Sequence, residues 1–420
     1  YLPAKLSLVT AWNHLANTGA IPYSEASSRG QPMLETILAE DPDNSEAFVQ
    51  LAILKDIEGD RPGADQAFVT ALEINPRNAM ALQAYGRFLF DNHEIERGLA
   101  LIDQALEIDP LAIRFLWNKC QANAHLQNFE ISMQACATIR ELDPDSPLGY
   151  YGKALAYMYV GDIPNIMQGY IEAIERDPED FEMIGAMAIF WIWLGDAEQA
   201  RAWLARADAL GAGQPVPVST RMQLYQFLEQ YDLAGNLAKK SLDEGMQDRH
   251  GILGFMRHAW AYASVLNNNI NAALEPYQQE YPWVFEETLV IPDDYVYVID
   301  DLLLIADLLK RQDAFSERAE QLITLSEEKV DQYMPLFGPW HTDARWAAIE
   351  TLRGNYDKAI DHLGAMYDMN YRTYWRSFIY NDPVMLHLRD EPKYQALIAR
   401  FEKDMDQQRE AAYALLGIEK

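Results

Sequence analysis

The sequence predicts an all-α fold, a right-handed α-α superhelix of about nine helix-turn-helix units with a C-terminal capping helix. Three observations predict it. Prolines 42, 76, 110, 144 and 178 recur at a constant interval of 34 residues. An amphipathic stretch precedes each proline, as in Ala64 to Ile74 or Leu99 to Ile108. Small residues recur inside each interval, where paired helices must approach closely.

The prolines follow an acid or amide in Asp41-Pro42, Asn75-Pro76, Asp109-Pro110, Asp143-Pro144 and Asp177-Pro178. A proline lacks the N–H that would extend the helix and biases the preceding residue out of it, so each pair reads as a stop. The next helix is expected to open on a capping residue, Ser45 in one unit and Ser146 with Pro147 in another. Gly59-Asp60, Gly161-Asp162 and Gly195-Asp196 read as the turn inside a unit, a left-handed stop followed by a cap.

In the unit closed by Pro76 the patterned positions are Phe48, Leu51, Ala52, Ala64, Phe68 and Ala71. In the next they are Leu82, Tyr85, Gly86, Leu89, Gly98, Ile102 and Ala105, before Pro110. This frame resembles the tetratricopeptide repeat, and the resemblance implies a stack of helix pairs whose first helices form a binding surface. The unit closed by Pro144 departs from it, with Cys120, Ser132 and Cys136 at small positions and Ile139 where alanine is usual. Both cysteines read as small core fillers.

The expected organisation is residues 1–42 leading into the array, 43–212 as five regular units, 213–380 as degenerate units and 381–420 as a capping region. Ala212 stands where a proline is expected, and Gly211 to Pro217 reads as a loosened exit. Residues 280–294, with Pro282, Trp283, Phe285 and Pro292, read as an irregular extended loop packed on the array. A last clear unit carries Trp346, Ala347, Gly354, Asn355, Tyr356, Ala359 and Ile360. Asp382-Pro383-Val384-Met385-Leu386-His387 then leads into a charged closing helix. This tail resembles the ends of repeat regions in bacterial winged-helix transcriptional regulators and class III adenylate cyclases. That resemblance implies a sensing or interaction half of a larger signalling protein.

The composition restricts the function classes. Asp and Glu outnumber Lys and Arg 64 to 34, a net charge of −30, which repels nucleic acid and anionic lipid alike. The longest apolar run, Ala186 to Leu194, is far short of the roughly 20 residues that cross a bilayer. A chain opening at Tyr1 without methionine is expected to have been processed or cut from a longer one. Its compartment is then cytoplasmic, or periplasmic if a single span precedes it.

No histidine or cysteine cluster has metal-ligand spacing, and no phosphate-binding glycine loop or nucleophile elbow occurs. No cofactor, metal or catalytic residue is therefore expected, and the chain is not expected to be an enzyme. Asp293, Asp294, Asp300 and Asp301 lack the spacing of a calcium loop and read as helix-capping acids.

The first helix of each pair should present Arg87, Phe90, Trp117, Asn118, Gln121, Tyr151, Leu155, Met158, Tyr159, Ile189 and Trp193 on the inner face. Aromatics with an arginine and amides suit an anchoring surface for a protein or peptide. The Lys and Asn of a terminal-carboxylate clamp are missing, since Val49 and Ile53 stand at the leading positions. The expected occupant is an apolar or amphipathic segment of another protein, of the same polypeptide, or of a second copy in a homodimer. The alternative expectation is a small-molecule receptor or enzyme with a pocket near residues 283–301.

Overall fold

A computed structural model describes residues 1–17, 21–246, 251–289, 298–312, 316–333 and 340–418. The chain divides into two compact units, Tyr1–Pro144 and Asp145–Lys420.

The first unit is four helix pairs: α1 (Leu2–Asn17) with α2 (Tyr23–Glu40), α3 (Ser45–Ile57) with α4 (Arg61–Ile74), α5 (Ala79–Asp91) with α6 (Ile95–Ile108), and α7 (Ile113–His125) with α8 (Phe129–Leu142). The second helices stop ahead of the prolines, as expected. Asp41, Asn75, Asp109 and Asp143 each close them by donating the backbone N–H to the carbonyl four residues back. The helix-opening expectation needs a correction. Asn44, not Ser45, caps α3, accepting from Ala47 N–H at 2.9 Å. Ser45 Oγ instead donates to the Ala71 carbonyl at 2.8 Å and accepts from Asn78 at 2.8 Å, tying three successive helices together. The close approach read from the glycines is present: a methyl group on Gly98 would lie 2.5 Å from the Gly86 carbonyl oxygen.

Cys120 and Cys136 are buried, as core fillers should be, but they are also bonded to each other across α7 and α8. A spacing of 16 places them opposite one another once the turn at residues 126–128 reverses the chain.

The second unit begins with the pairs α9 (Leu148–Val160) and α10 (Ile163–Ile174), α11 (Phe181–Trp193) and α12 (Ala197–Gly211), α13 (Pro215–Phe227) and α14 (Tyr231–Asp243). It continues with α15 (Ile252–Leu266) and α16 (Ile270–Glu280), the short α17 (Pro282–Phe285), α18 (Ile299–Lys310) and α19 (Ser316–Tyr333), and α20 (His341–Leu352) and α21 (Tyr356–Asp368). A π-turn at Arg376–Tyr380, a 3₁₀ turn at Val384–Leu388 and α22 (Pro392–Leu416) close it. The described residues thus hold ten pairs rather than about nine. The exit at Gly211 to Pro217 is a helix start, with prolines in the first turn of α13 where no N–H is required. The extended loop is also corrected. Pro282 opens a helical turn whose Val284 is fully buried, while residues 290–294 of that stretch lie outside the described residues.

The three Gly-Asp turns are as expected, with φ of +81° at Gly59, +69° at Gly161 and +81° at Gly195. The same left-handed position is filled by His93, Gln127 and Glu229, at φ of +63°, +59° and +57°. Successive positions of the six are separated by 34, so the frame persists two units beyond the last regular proline, Pro178.

The cores differ in kind. Separate clusters serve the pairs of the first unit, such as Phe68, Tyr85, Phe88 and Leu89 between α3, α4 and α5. The second holds one large core, centred on Trp191, Trp193, Trp375, Tyr277 and Phe401, beside a smaller cluster of Val218, Met222, Ala234, Ile252 and Met256. The closing helix α22 explains this. Tyr394, Leu397, Ile398, Phe401 and Met405 form one buried stripe at helical spacing. That stripe packs on α21 and reaches back to α10. Gln408 accepts from Ile163 N–H at 2.9 Å, Arg409 donates to the Leu194 carbonyl at 2.8 Å, and Tyr413 bonds Asp196.

Candidate functional site

In the first unit, the first-helix face carries Arg87, Phe90 and Gln121, all half-buried. The repeat places residues 34 apart side by side on neighbouring helices, and Arg87 donates across from α5 to Gln121 on α7 at 2.8 Å. It also pairs with Asp91 at 2.7 Å and lies over the Phe90 ring, 5.4 Å from its centroid. Phe90 meets His125 edge-on at 5.9 Å. Trp117 packs on Cys120, Ala135 and Cys136. Asn118 is not on the face but buried, 6% exposed, with Nδ2 lacking a partner among the described residues. Ala84, Gly152 and Ala186 hold the equivalent position in neighbouring units, so this is a small-residue packing site where an asparagine is an exception.

In the second unit the same face is covered by the chain itself. Trp193 is 1% exposed, its ring 4.7 Å from that of Tyr374, and its carbonyl accepts from Trp375 Nε1 at 3.4 Å. Tyr159 lies 5.7 Å from Trp340, and Tyr151, Met158 and Ile189 pack on the same core. Leu155 is half-buried beside them. Burial pushes the Tyr159 phenol up to about 12, with Tyr151 adding to the effect. Of the expected partner residues of this unit, Tyr159 is therefore held by Trp340, and Trp193 by Tyr374 and Trp375. The segment around Tyr374 and Trp375 shows no repeat pattern, so nothing in its sequence signals the contact.

A cavity of about 640 Å³ also lies within the second unit, bordered by α15, α18, α20 and the two turns before α22. It meets the stretch expected to form a pocket, residues 283–301, at Val298, Asp300 and Asp301. Trp283 and Phe285 pack on the core instead. Consecutive acids on α18 each hold one buried arginine. Arg257 lies 3.1 Å from Asp301 and donates to Tyr281 at 3.2 Å, while Tyr281 donates to the same Asp301 oxygen at 2.5 Å. Arg345 pairs with Asp300 and donates to His341 Nδ1 at 2.7 Å. His258 lies 3.6 Å from Asp301.

Burial, the largest influence, opposes the Arg257 charge, but Asp301, Tyr281, Tyr277 and Glu280 together outweigh it and raise the pKa of the guanidinium. Asp382, which also lines the cavity, accepts from Val384 N–H at 2.7 Å, and desolvation pushes its carboxyl up to about 6. Three buried polar atoms of the wall lack a partner among the described residues: Arg257 Nε, Arg345 Nε and Asn381 Oδ1. Asp300 and Asp301 are thus arginine-paired rather than capping alone, and Asp293 and Asp294 lie outside the described residues. Among the described residues no group of acids, histidines or cysteines could hold a metal, and no helix is long and apolar enough to cross a membrane.

No family model matches the chain, and no curated protein matches it. Among solved structures it is similar to PilW, a type IV pilus biogenesis factor, at 20% identity and TM-score 0.42 over 50% of this chain and 92% of that one. It is similar to a tetratricopeptide repeat protein from Parabacteroides merdae at 16% and 0.46, covering 60% and 97%. A third likeness is to YrrB, a repeat protein with an unusual peptide-binding site, at 12% and 0.32, covering 45% and 97%. With its 34-residue frame of packed helix pairs, the chain has a tetratricopeptide-type, all-α solenoid fold.

Proposed function

We propose that the chain is a protein-binding scaffold and not an enzyme, and that its first unit docks an amphipathic segment of another protein across the first-helix face of α5 and α7. One observation carries this reading. At the equivalent face of the second unit an aromatic segment of the same chain, residues 371–378, is already packed on the repeat, whereas Arg87, Phe90 and Gln121 remain half-exposed. A ring flanked by a guanidinium and an amide suits an apolar anchor with polar neighbours. The net charge of −30 argues against nucleic acid as the direct partner. The tail's resemblance to repeat regions of bacterial regulators and cyclases makes the scaffold the sensing half of a signalling protein.

The test is site-specific photo-cross-linking from a benzoylphenylalanine at position 121, followed by affinity measurement with the protein it captures. Replacing Arg87 and Phe90 together by alanine is expected to weaken that affinity at least tenfold. Met133→Ala, on the exposed face of α8, should leave it unchanged. Equal affinity for both variants removes the face from the proposal, and a cross-link to the chain itself assigns a homodimer in place of a foreign partner.

A further inference from the structure

The cavity of the second unit has features that packing alone does not explain. Its volume, about 640 Å³, falls in the range of roughly 300–1,000 Å³ usual for small-molecule sites. Its wall is divided chemically. Phe255, Leu304, Val384 and Met385 contribute apolar surface, and two ion pairs, the buried Arg257–Asp301 and the partly exposed Arg345–Asp300, contribute charge.

A buried donor or acceptor without a partner costs free energy, so such atoms are rare and call for a partner. Here three belong to side chains that line one cavity. Arg257, Arg345 and Asn381 are 8%, 9% and 5% exposed, and each leaves one polar atom unsatisfied among the described residues. The two arginine atoms are N–H donors, which ask for an acceptor. The asparagine atom is an acceptor, and the neighbouring Asp382 is a carboxylate away from any arginine pair, so this side asks for a cationic donor. Both arginines line the cavity, and each is held by one of two consecutive acids of α18.

We propose that this cavity binds a small zwitterion with an apolar side chain, of the amino-acid or dipeptide class. Its carboxylate is taken by Arg257 and Arg345, its ammonium by Asn381 Oδ1 and Asp382, and its side chain by the apolar wall. A simple anion would leave the acceptor side unsatisfied and add to the carboxylates already lining the cavity. A simple cation would leave both arginine N–H groups unsatisfied. The site is separate from the face of α5 and α7, so failure of either assignment leaves the other standing.

The experiment is calorimetric titration and thermal unfolding of the full chain with leucyl-phenylalanine and free leucine and phenylalanine. The C-terminal amide and N-acetyl forms of the dipeptide serve as charge-deleted probes. At least one zwitterion is expected to bind and raise the unfolding midpoint, as a ligand of the native state does. Both charge-deleted forms are expected to bind at least tenfold more weakly.

Gly254 supplies the variant. It lines the cavity from within α15, and a Cβ there meets no atom within 4 Å. Gly254→Leu should intrude on the cavity and weaken binding at least tenfold without lowering the unliganded midpoint. Ala348→Phe fills it from α20 and repeats the test if the first variant folds poorly. Binding unchanged in a folded cavity-filled variant overturns the proposal. So does the amide binding as well as the parent, which marks a cation site, or the acetyl form doing so, which marks an anion site. Absence of binding by every zwitterion also overturns it.

Discussion

Two stretches of the same 34-residue frame have taken opposite chemistry. On α5 and α7 the first-helix face carries Arg87 and Asp91, then Gln121 and His125. One and two intervals further on, α9 and α11 carry Leu155 and Tyr159, then Ile189 and Trp193, at the same positions. The backbone frame is unchanged, and what differs is the occupant. Where the chain supplies its own cover the positions are apolar, with Trp193 fully buried and Leu155, Tyr159 and Ile189 half-buried, as desolvation favours for a dry contact. Where no described residue covers them they stay polar and cross-bonded, as Arg87 to Gln121 shows. The repeat therefore sets where a segment can dock, and the residues at two positions per unit set what kind.

The largest expected effect comes from breaking the self-contact. Trp375 is fully buried, stacks on Phe401 at 5.2 Å and donates to Trp193. Trp375→Ala is expected to cost about 3–5 kcal/mol, the range for truncating a large core aromatic. Denaturant unfolding measures the loss, and hydrogen exchange locates it. Amides of α11 and α22 should lose protection while those of α5 and α7 do not. An equal loss in α5 would mean that the two faces are energetically one.

The converse perturbation acts on the first unit. The Cys120–Cys136 bond closes a loop of 16 residues across α7 and α8. On the chain-entropy account such a crosslink contributes about 3 kcal/mol. Cys136→Ser, which cannot form the bond, should raise exchange in α7 and α8 and leave the core around Trp375 protected. Unchanged protection of α7 would assign the cystine no part in holding the face that carries Gln121.

A smaller effect distinguishes the cavity wall from the rest of the second unit. Asp382 is pushed up to about 6 by burial, so the folded state holds its proton more tightly than the unfolded chain. The folded state then binds more protons between about pH 4 and 6, and stability must fall as pH rises through that window. A shift of two pKa units corresponds to roughly 2–3 kcal/mol. Asp382→Asn keeps an oxygen for the Val384 N–H and removes the titration. Its stability should exceed that of the parent at pH 7 and match it near pH 4. A parallel pH profile for the two proteins would contradict the assignment.

What the sequence made legible follows from range. Proline stops, Gly-Asp turns and small contact residues act within one unit, and each was readable because its physics is local. The burial of Trp193 was not, because the residues that cover it, Tyr374 and Trp375, lie over 180 positions away and belong to no repeat. The cystine sits between these cases. Two cysteines at small positions of adjacent helices were visible, but their pairing depends on the turn between α7 and α8. Asn118 was readable and misassigned: its counterparts Ala84, Gly152 and Ala186 mark an inward packing position, not an open face.

The left-handed turn recurs further along the chain than the prolines do, and it gives the smallest prediction. The frame was followed through glycine turns and prolines, yet the invariant feature is the left-handed residue at 59, 93, 127, 161, 195 and 229. Three of the six are not glycine, and for them the left-handed conformation brings Cβ against the following carbonyl oxygen, at a cost of about 1 kcal/mol or more. Gln127 is exposed, so its side chain offsets little of that cost. Gln127→Gly is expected to relieve it, less the extra chain entropy glycine brings to the unfolded state, for a net gain of about 0.5 kcal/mol. The same change at Asn128, which has φ of −80°, should destabilise instead. Opposite signs at adjacent positions, read as shifts in the denaturation midpoint, would show that it is the 34-residue turn geometry, and not glycine as such, that the array requires.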